Sequence, residues 1–330
     1  MKKVFLLTLC LLQAVLLFGA TKPAKYESED YKLYLQYNDT VIPGDAIFVR
    51  MTVETPKSLK LPKEDLEKKA SLQLLRDKKV IEEAPFYPIN KTSKNNNIEL
   101  LCGLPISMWL EEGENLSLQV VVSPYKDKYD KFILPITFKS RDFIEEVVEL
   151  YESNTAIKTN NSATRAKQID KLNDILFTTM PSDVFSLVPF IKPVNCERLT
   201  GFYGDRRVYK YSNGKSSYGN PHNGIDYGVP EGTPVSSCAK GKVVLAEDRI
   251  STGWSIVIEH LPGLYSLYYH LSDMNVKVGD MVEAGDLIGH SGKTGLATGP
   301  HLHWEVRLNG SAVNPEFFLS AFAFEESEKK

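Results

Sequence analysis

From Cys196 onward, glycine recurs every few residues and the apolar runs between glycines are short. Gly224, Gly228, Gly232, Gly241, Gly253, Gly263, Gly279, Gly285, Gly289, Gly292, Gly295 and Gly299 punctuate runs such as Val243-Val244-Leu245, Ile256-Val257-Ile258 and Leu264 to Tyr269. Runs of this length, rich in β-branched and aromatic residues, fit strands joined by tight turns better than core helices. The pattern predicts a compact all-β domain over residues 196–320, followed by a charged tail at 321–330.

Inside that domain lies Pro300-His301-Leu302-His303-Trp304-Glu305-Val306. Thr298-Gly299-Pro300 turns the chain into an extended segment, and period-two alternation puts His301 and His303 on one strand face. A second pairing is His222-Asn223-Gly224-Ile225-Asp226, an imidazole and a carboxylate four apart. If extended, both point the same way. The six histidines (His222, His260, His270, His290, His301 and His303) all fall in the last third of the chain. Imidazole and carboxylate are zinc ligands, and three protein ligands with one open position define a catalytic zinc site. His260, before a Pro-Gly turn, and His290, in a glycine-rich turn, read as structural. Tyr227 is a candidate substrate contact, Arg206 and Arg207 read as buttresses of the fold, and Glu305 takes no role.

At 330 residues the chain has room for two domains. Between residues 21 and 140 the pattern is β. Leu33, Leu35 and Tyr37 alternate with polar residues, as do Leu116, Leu118, Val120 and Val122, and Phe132, Leu134, Ile136 and Phe138. Ile47, Val49, Met51 and Val53 share one face of a further strand, with Phe48 on the other. Short alternating strands between turn signals predict a small antiparallel β-sandwich, with residues 21–30 loose and Lys57 to Lys69 irregular. No histidine and no chemical constellation occurs in this half, which reads as a binding, spacer or covering module. From Arg141 the period changes: Phe143, Val147, Leu150 and Tyr151 predict a helix. A polar break at Ser153 to Ser162 follows, then a second helix over about 163–176 with Ile169, Leu172 and Ile175 on its stripe. Phe185 to Pro193 reads as an extended lead-in, so residues 141–195 form a helical linker.

The first twenty residues have the form of a secretory signal. Lys2 and Lys3 precede an apolar run from Val4 to Phe18, and Gly19-Ala20 offers a small-residue exit. Cleavage after Ala20 predicts a periplasmic protein; an uncleaved segment would instead tether it to the inner membrane. Cys10 belongs to the core of that segment. The mature chain keeps Cys102, Cys196 and Cys238, with no CxxC spacing; a Cys196–Cys238 disulfide and free buried thiols are both open. A formal net charge of −3 gives no footprint for nucleic acid.

The stretch from about Thr200 to Pro315 resembles the LytM/lysostaphin-type zinc metallopeptidases, the M23 family of peptidoglycan endopeptidases. The resemblance runs through Phe202-Tyr203-Gly204-Asp205-Arg206-Arg207, His222-Asn223-Gly224-Ile225-Asp226-Tyr227 and Pro230-Glu231-Gly232-Thr233-Pro234-Val235. It continues through Tyr268-Tyr269-His270-Leu271, Val278-Gly279-Asp280, Gly289-His290-Ser291-Gly292-Lys293-Thr294-Gly295 and the His301–His303 segment. The N-terminal half looks like the β domain often attached to Gram-negative members. The family pattern implies His222, Asp226 and His303 as zinc ligands, His301 as the catalytic histidine and His270 as its partner, a cation or hydrogen-bond donor to the oxyanion. Departures are Tyr203 for a usual Phe, Gly201 for a usual Ser and Trp304 for a usual Phe, none at a ligand or catalytic position.

The expectation is therefore a mainly β protein: an N-terminal sandwich, a helical linker and a LytM-type peptidase domain. It implies Zn2+ as cofactor, peptide cross-links of peptidoglycan (D-Ala to meso-diaminopimelate) as substrate, and a role in wall remodelling or cell shape. D,D-carboxypeptidase trimming is a neighbouring activity. A non-enzymatic wall-associated regulator or scaffold, with regulatory or shape-complex protein partners, is the alternative of a different class.

Overall fold

Alternation of apolar and polar residues builds the N-terminal half as expected. In the computed structural model, which describes residues 21–28, 31–54, 69–89, 97–125, 128–178 and 183–319, Lys32–Asn38 pairs antiparallel with Ala46–Glu54, setting Leu33 against Val53, Leu35 against Met51 and Tyr37 against Val49. These strands belong to a five-stranded sheet, and Ala70–Arg76 and Leu116–Tyr125 to a four-stranded one. The buried faces meet in one core that joins Leu33, Leu35, Val49, Met51 and Leu100 to Leu72, Leu74, Leu118 and Val120. Thr21–Glu27, expected to be loose, pairs along its whole length with Lys32–Asn38. Its sequence is polar because it is an edge strand, where one side of the ladder faces water. The signal segment with Cys10, most of the charged stretch from Lys57 and the tail at 321–330 lie outside the described residues.

The other face of the five-stranded sheet is also apolar at one end, and this couples the two halves. Phe48, fully buried, joins the C-terminal core, with ring centroids 6.3 Å from Phe317 and 6.2 Å from Phe318. Burial of such a ring stabilises by about 1.5–3 kcal/mol. Two glycines make the approach feasible. A Cβ on Gly103 would lie 2.4 Å from the Phe48 ring, and one on Gly44, at φ +87°, 2.4 Å from Tyr203. Polar contacts complete the junction: Arg141 pairs with Asp45 at 2.7 Å, Asn314 donates to the same carboxylate at 3.2 Å, and Arg206 stacks 3.9 Å over Trp109. Arg206 is thus the buttress expected of it.

The linker departs from its expected form. Residues Glu145–Glu149 are a strand, paired in parallel with Arg206–Lys210 so that Glu146 lies beside Arg207. Phe143, Val147, Leu150 and Tyr151 do have helical spacing, but the open edge of Arg206–Lys210 offers a ladder of backbone partners, and tertiary pairing overrides a short local period. The helix starts later, Glu152–Lys158, across the expected polar break. Ala163–Leu176 is a helix as expected, begun by Ser162, whose hydroxyl accepts from the Arg165 N–H at 3.3 Å. Leu172, Ile175 and Leu176 pack on Leu245, Val257, Tyr265 and Leu267 of the C-terminal sheet; Ile169, placed on the same stripe by its spacing, is exposed instead.

The C-terminal half is all β apart from the short helix Pro315–Leu319. Its large sheet runs, in spatial order, Leu199–Gly201, Gly224–Tyr227, Leu302–Leu308, Leu264–Met274, Gly253–Leu261, Gly241–Arg249 and Met281–Val282, each antiparallel to its neighbour. Cys196 and Cys238 form no disulfide. Cys238 is fully buried with its sulfur 3.7 Å from His260, whereas Cys196 is half-buried against the core with its sulfur on backbone groups of Arg198 and Gly228. No helix among the described residues is long and apolar enough to cross a membrane.

Candidate metal centre and cleft

Strand register assembles the site. Gly224–Tyr227 pairs with Leu302–Leu308 so that Asp226 lies directly opposite His303, and Tyr269 of the next strand lies opposite His303 on its other side. His222 stands just outside its strand, pinned by two backbone bonds to the 204–205 turn: its N–H donates to Asp205 O at 2.9 Å and its carbonyl accepts from Gly204 at 2.7 Å. Gly224 lets the strands close, because a Cβ there would lie 2.3 Å from the Trp304 carbonyl and 3.0 Å from the His303 ring.

Three ligand atoms then converge. His222 Nε2 is 3.1 Å from Asp226 Oδ1 and 3.0 Å from His303 Nδ1, and His303 Nδ1 is 2.9 Å from Asp226 Oδ1. All three residues are buried and together could hold a metal ion. The hydrogen bonds on their far sides hold the ligand atoms inward. His222 Nδ1 donates to the Phe202 carbonyl at 2.9 Å. His303 Nε2 donates to Glu305 at 3.2 Å, and Arg307 in turn donates to Glu305. The Tyr269 ring stacks on His303 with centroids 5.4 Å apart. Asp226 Oδ2 accepts from Arg207 Nη2 at 2.9 Å, and Arg207 Nε donates to Glu146 at 2.8 Å.

Charge in this cluster is organised for a cation. Burial would raise the Asp226 carboxyl, but His222 and His303 hold it well below the usual carboxylate range. Burial alone would lower His303; its hydrogen bonds to Asp226 and Glu305 outweigh that and raise it to about 9. The His303 ring thus faces carboxylates on both sides. His222 is lowered, burial being the main cause. Two nitrogens, one carboxylate oxygen and a compensating negative charge behind them are a donor set that fits a catalytic divalent metal.

His270 and His301 stand beside the ligands. Their ring centroids are 4.8 Å apart, and His270 is 6.2 Å from His303. Both hold their Nδ1–H on backbone carbonyls: His270 on Thr294 at 2.7 Å, His301 on Gly299 at 2.8 Å. Nε2 of each is left for other partners, that of His301 lying 3.8 Å from Asp226 Oδ1. His270 has φ +62°, a left-handed conformation that costs a residue with a side chain about 1–3 kcal/mol and collects at functional sites. Burial first, then the neighbouring imidazoles, lowers its pKa to about 3. Desolvation beside other imidazoles disfavours the cation, one of the two forms expected at this position, and leaves the hydrogen-bonding form.

These groups line a cleft of about 320 Å³, to which the linker strand contributes Glu146 and Val148 and the 296–300 loop contributes Thr298 and Pro300. The helix Glu152–Lys158 braces that loop, with buried Asn154 donating to the Ala297 carbonyl at 3.0 Å. His260 and His290 lie elsewhere: His260 is bonded to Lys240 O and Ser266, and His290 to Asp273. Tyr227 is buried in the core rather than facing substrate, because its place on the strand is one step out of phase with Asp226.

Two roles were missed in the sequence. Glu305 shares its strand face with His301 and His303 by the same period of two, so its contact with His303 was available from alternation. Arg207 had no such signal: its contact with Asp226 depends on Gly201, the strand residue paired with Asp226. A Cβ at 201 would fall 2.5 Å from Asp226 Oδ2 and 2.7 Å from Arg207 Nη2, so the absent side chain leaves the space in which the two meet.

Comparison with known proteins agrees with this geometry. Residues 220–315 match the model of Peptidase family M23. Over 94 residues the chain is 45% identical to the DD-carboxypeptidase/endopeptidase Mpg of Neisseria meningitidis and 45% identical to the peptidoglycan DD-endopeptidase ShyA of Vibrio cholerae, in each case over 28% of this chain and 22% of the relative. The chain thus spans about a fifth of the length of these curated relatives. A crystal structure of a peptidase M23 from Pseudomonas aeruginosa shares the fold over 85% of this chain and 95% of its own, with TM-score 0.52 and 22% identity. Residues 220–315 of this chain therefore match a peptidase family M23 domain and contain the His222, Asp226 and His303 cluster.

Proposed function

We propose that this protein is an exported zinc-dependent endopeptidase that hydrolyses peptide cross-links of peptidoglycan in the periplasm. The observation that carries this reading is the convergence of His222 Nε2, Asp226 Oδ1 and His303 Nδ1 to within 3.1 Å of one another beside a cleft that Asp226 and His303 line. Zinc suits two imidazoles and one carboxylate with a position left for water. Bound there, it supplies a Lewis acid and a water whose pKa falls to roughly 7.

The chain's own residues do the rest. His301 lines the cleft with Nε2 bare and Nδ1 fixed on Gly299, so it takes the water proton at Nε2 and later passes it to the leaving amine. His270, neutral at rest and fixed on Thr294, orients the reacting groups through Nε2. With a further proton taken up from solvent at that atom, it would donate to the developing oxyanion. Asp226 and His303 keep their ligand atoms inward through Arg207 and Glu305. The linker strand and the 296–300 loop bound the cleft, and the likeness to M23 peptidases favours a peptide rather than a glycan strand as substrate.

The names of the Vibrio and Neisseria relatives favour a D,D bond of peptidoglycan, which we take to be D-Ala to diaminopimelate, with D,D-carboxypeptidase trimming as a second activity of the same site. A regulator without catalysis would not require five inward-facing groups and their supports. The test is digestion of purified cross-linked peptidoglycan with zinc present and then chelated, followed by mass analysis of the muropeptides. Dimers should fall as monomers rise, and chelation or His303→Ala should abolish the change. Unchanged dimers, with zinc shown to be bound, would refute the endopeptidase reading. Release of terminal D-Ala alone would assign the carboxypeptidase activity instead.

A further inference from the structure

We propose that Glu146 and Arg207 are a positioning pair for the metal site, so that a strand of the linker completes the centre of the M23 domain. This rests on the reading that His222, Asp226 and His303 hold a metal. Arg207 lies in the stretch that resembles the family, but Glu146 lies well ahead of both that stretch and the match over 220–315, on a strand added in parallel to Arg206–Lys210.

The guanidinium of Arg207 is gripped at two ends, Nη2 on Asp226 Oδ2 at 2.9 Å and Nε on Glu146 Oε2 at 2.8 Å. A planar group held at both ends has a fixed plane. That plane fixes the Asp226 carboxylate, whose own terminal torsion is otherwise broad. Oδ1 is thereby kept toward His222 and His303 rather than exchanged with Oδ2. Gly201 supplies the room, since a Cβ there would intrude on both Asp226 Oδ2 and Arg207 Nη2. Charge adds a second reason. An arginine alone beside a ligand carboxylate opposes a bound dication. Glu146 supplies the counter-charge, so the pair orients Asp226 without adding net positive charge. Glu146 does not touch the three ligands and acts only through Arg207.

The measurement is the zinc affinity of the metal-stripped full protein, by competition with a chromophoric chelator well below its unfolding temperature. Glu146→Ala should weaken zinc binding about 10–100-fold, as loss of a partner behind a ligand does. Glu146→Gln, which keeps an acceptor but not the charge, should fall between, and it decides the matter if the alanine variant does not fold. Glu149→Ala, which removes the Lys210 ion pair at 3.6 Å from the same strand, should stay within about twofold of the parent. Glu146→Ala should add no further loss in an Arg207→Ala background, because the two act as one unit. Parent-like affinity of Glu146→Ala, or an equal loss in Glu149→Ala, would overturn the pair. His303→Ala separates the two failures. If it also binds zinc like the parent, the metal reading falls and the pair with it. If it loses zinc while Glu146→Ala does not, only the pair falls.

Discussion

Replacing Glu305 by Gln tests the support behind His303 without changing side-chain volume. Glu305 is 3% exposed; one carboxylate oxygen accepts from His303 Nε2 at 3.2 Å and the other from Arg307. The amide can still accept from one of them, but it carries no charge. On the metal side, losing the charge behind a ligand imidazole should weaken zinc 10–100-fold, about 1.4–2.7 kcal/mol. On the folding side, Arg307 keeps its bond to the Gly310 carbonyl at 3.1 Å but loses its ion partner in a buried place. Breaking such a pair costs about 3–5 kcal/mol, and the retained bond and the amide acceptor put the expected loss at the lower end. The two effects are separable. Thermal unfolding of the metal-stripped protein reads the second alone. The added stability at fixed excess zinc reads the first, and should shrink by up to about 2.7 kcal/mol for a hundredfold weaker Kd. A variant whose zinc affinity stays within about twofold of the parent would refute the role given to Glu305, whatever its stability.

Further predictions follow from other parts of the molecule. His260 is lowered to about 4, burial outweighing its bond to the Lys240 carbonyl; the unfolded chain binds its proton near pH 6.5, so stability present above that value is lost as pH falls toward 4, by roughly 3 kcal/mol. His260→Gln should flatten that slope in acid-unfolding curves, and an unaltered slope would contradict it. Gly44→Ala, at φ +87° and 2.4 Å from the Tyr203 ring, should cost more than about 1 kcal/mol in denaturant unfolding; an unchanged midpoint would show the junction to be looser than described. Asn154→Ala removes the brace on the 296–300 loop and should cost about 1–3 kcal/mol of local stability, seen as faster amide exchange around Ala297. Equal exchange rates would mean that the loop holds itself.

How much of this was legible without coordinates varies by element. The sandwich was, because Leu33, Leu35 and Tyr37, or Leu118, Val120 and Val122, alternate cleanly and one face is core. So was the helix 163–176, from the spacing of Leu172 and Ile175, although Ile169 of the same stripe is exposed. The strand Glu145–Glu149 was not: its local period is helical, and only the open edge of Arg206–Lys210 makes extended pairing the better way to satisfy its backbone. Thr21–Glu27 was lost for the opposite reason, being polar because it is an edge.

The same division runs through the site. The sequence by itself determined the chemistry: which imidazoles and which carboxylate are present, at spacings that alternate onto one face, in segments whose order resembles a known family. Even Glu305 follows from the period of the strand that carries His301 and His303. What only the tertiary structure decided is which groups stand behind them. Antiparallel register sets Asp226 against His303, a left-handed turn at His270 aims a ring that local propensity would not, and a parallel strand from the linker brings Glu146 to Arg207 and Arg207 to Asp226. Residue type and local period are written along the chain, but a contact between distant segments is settled by which sheet edges and which buried charges must find partners once the chain has collapsed.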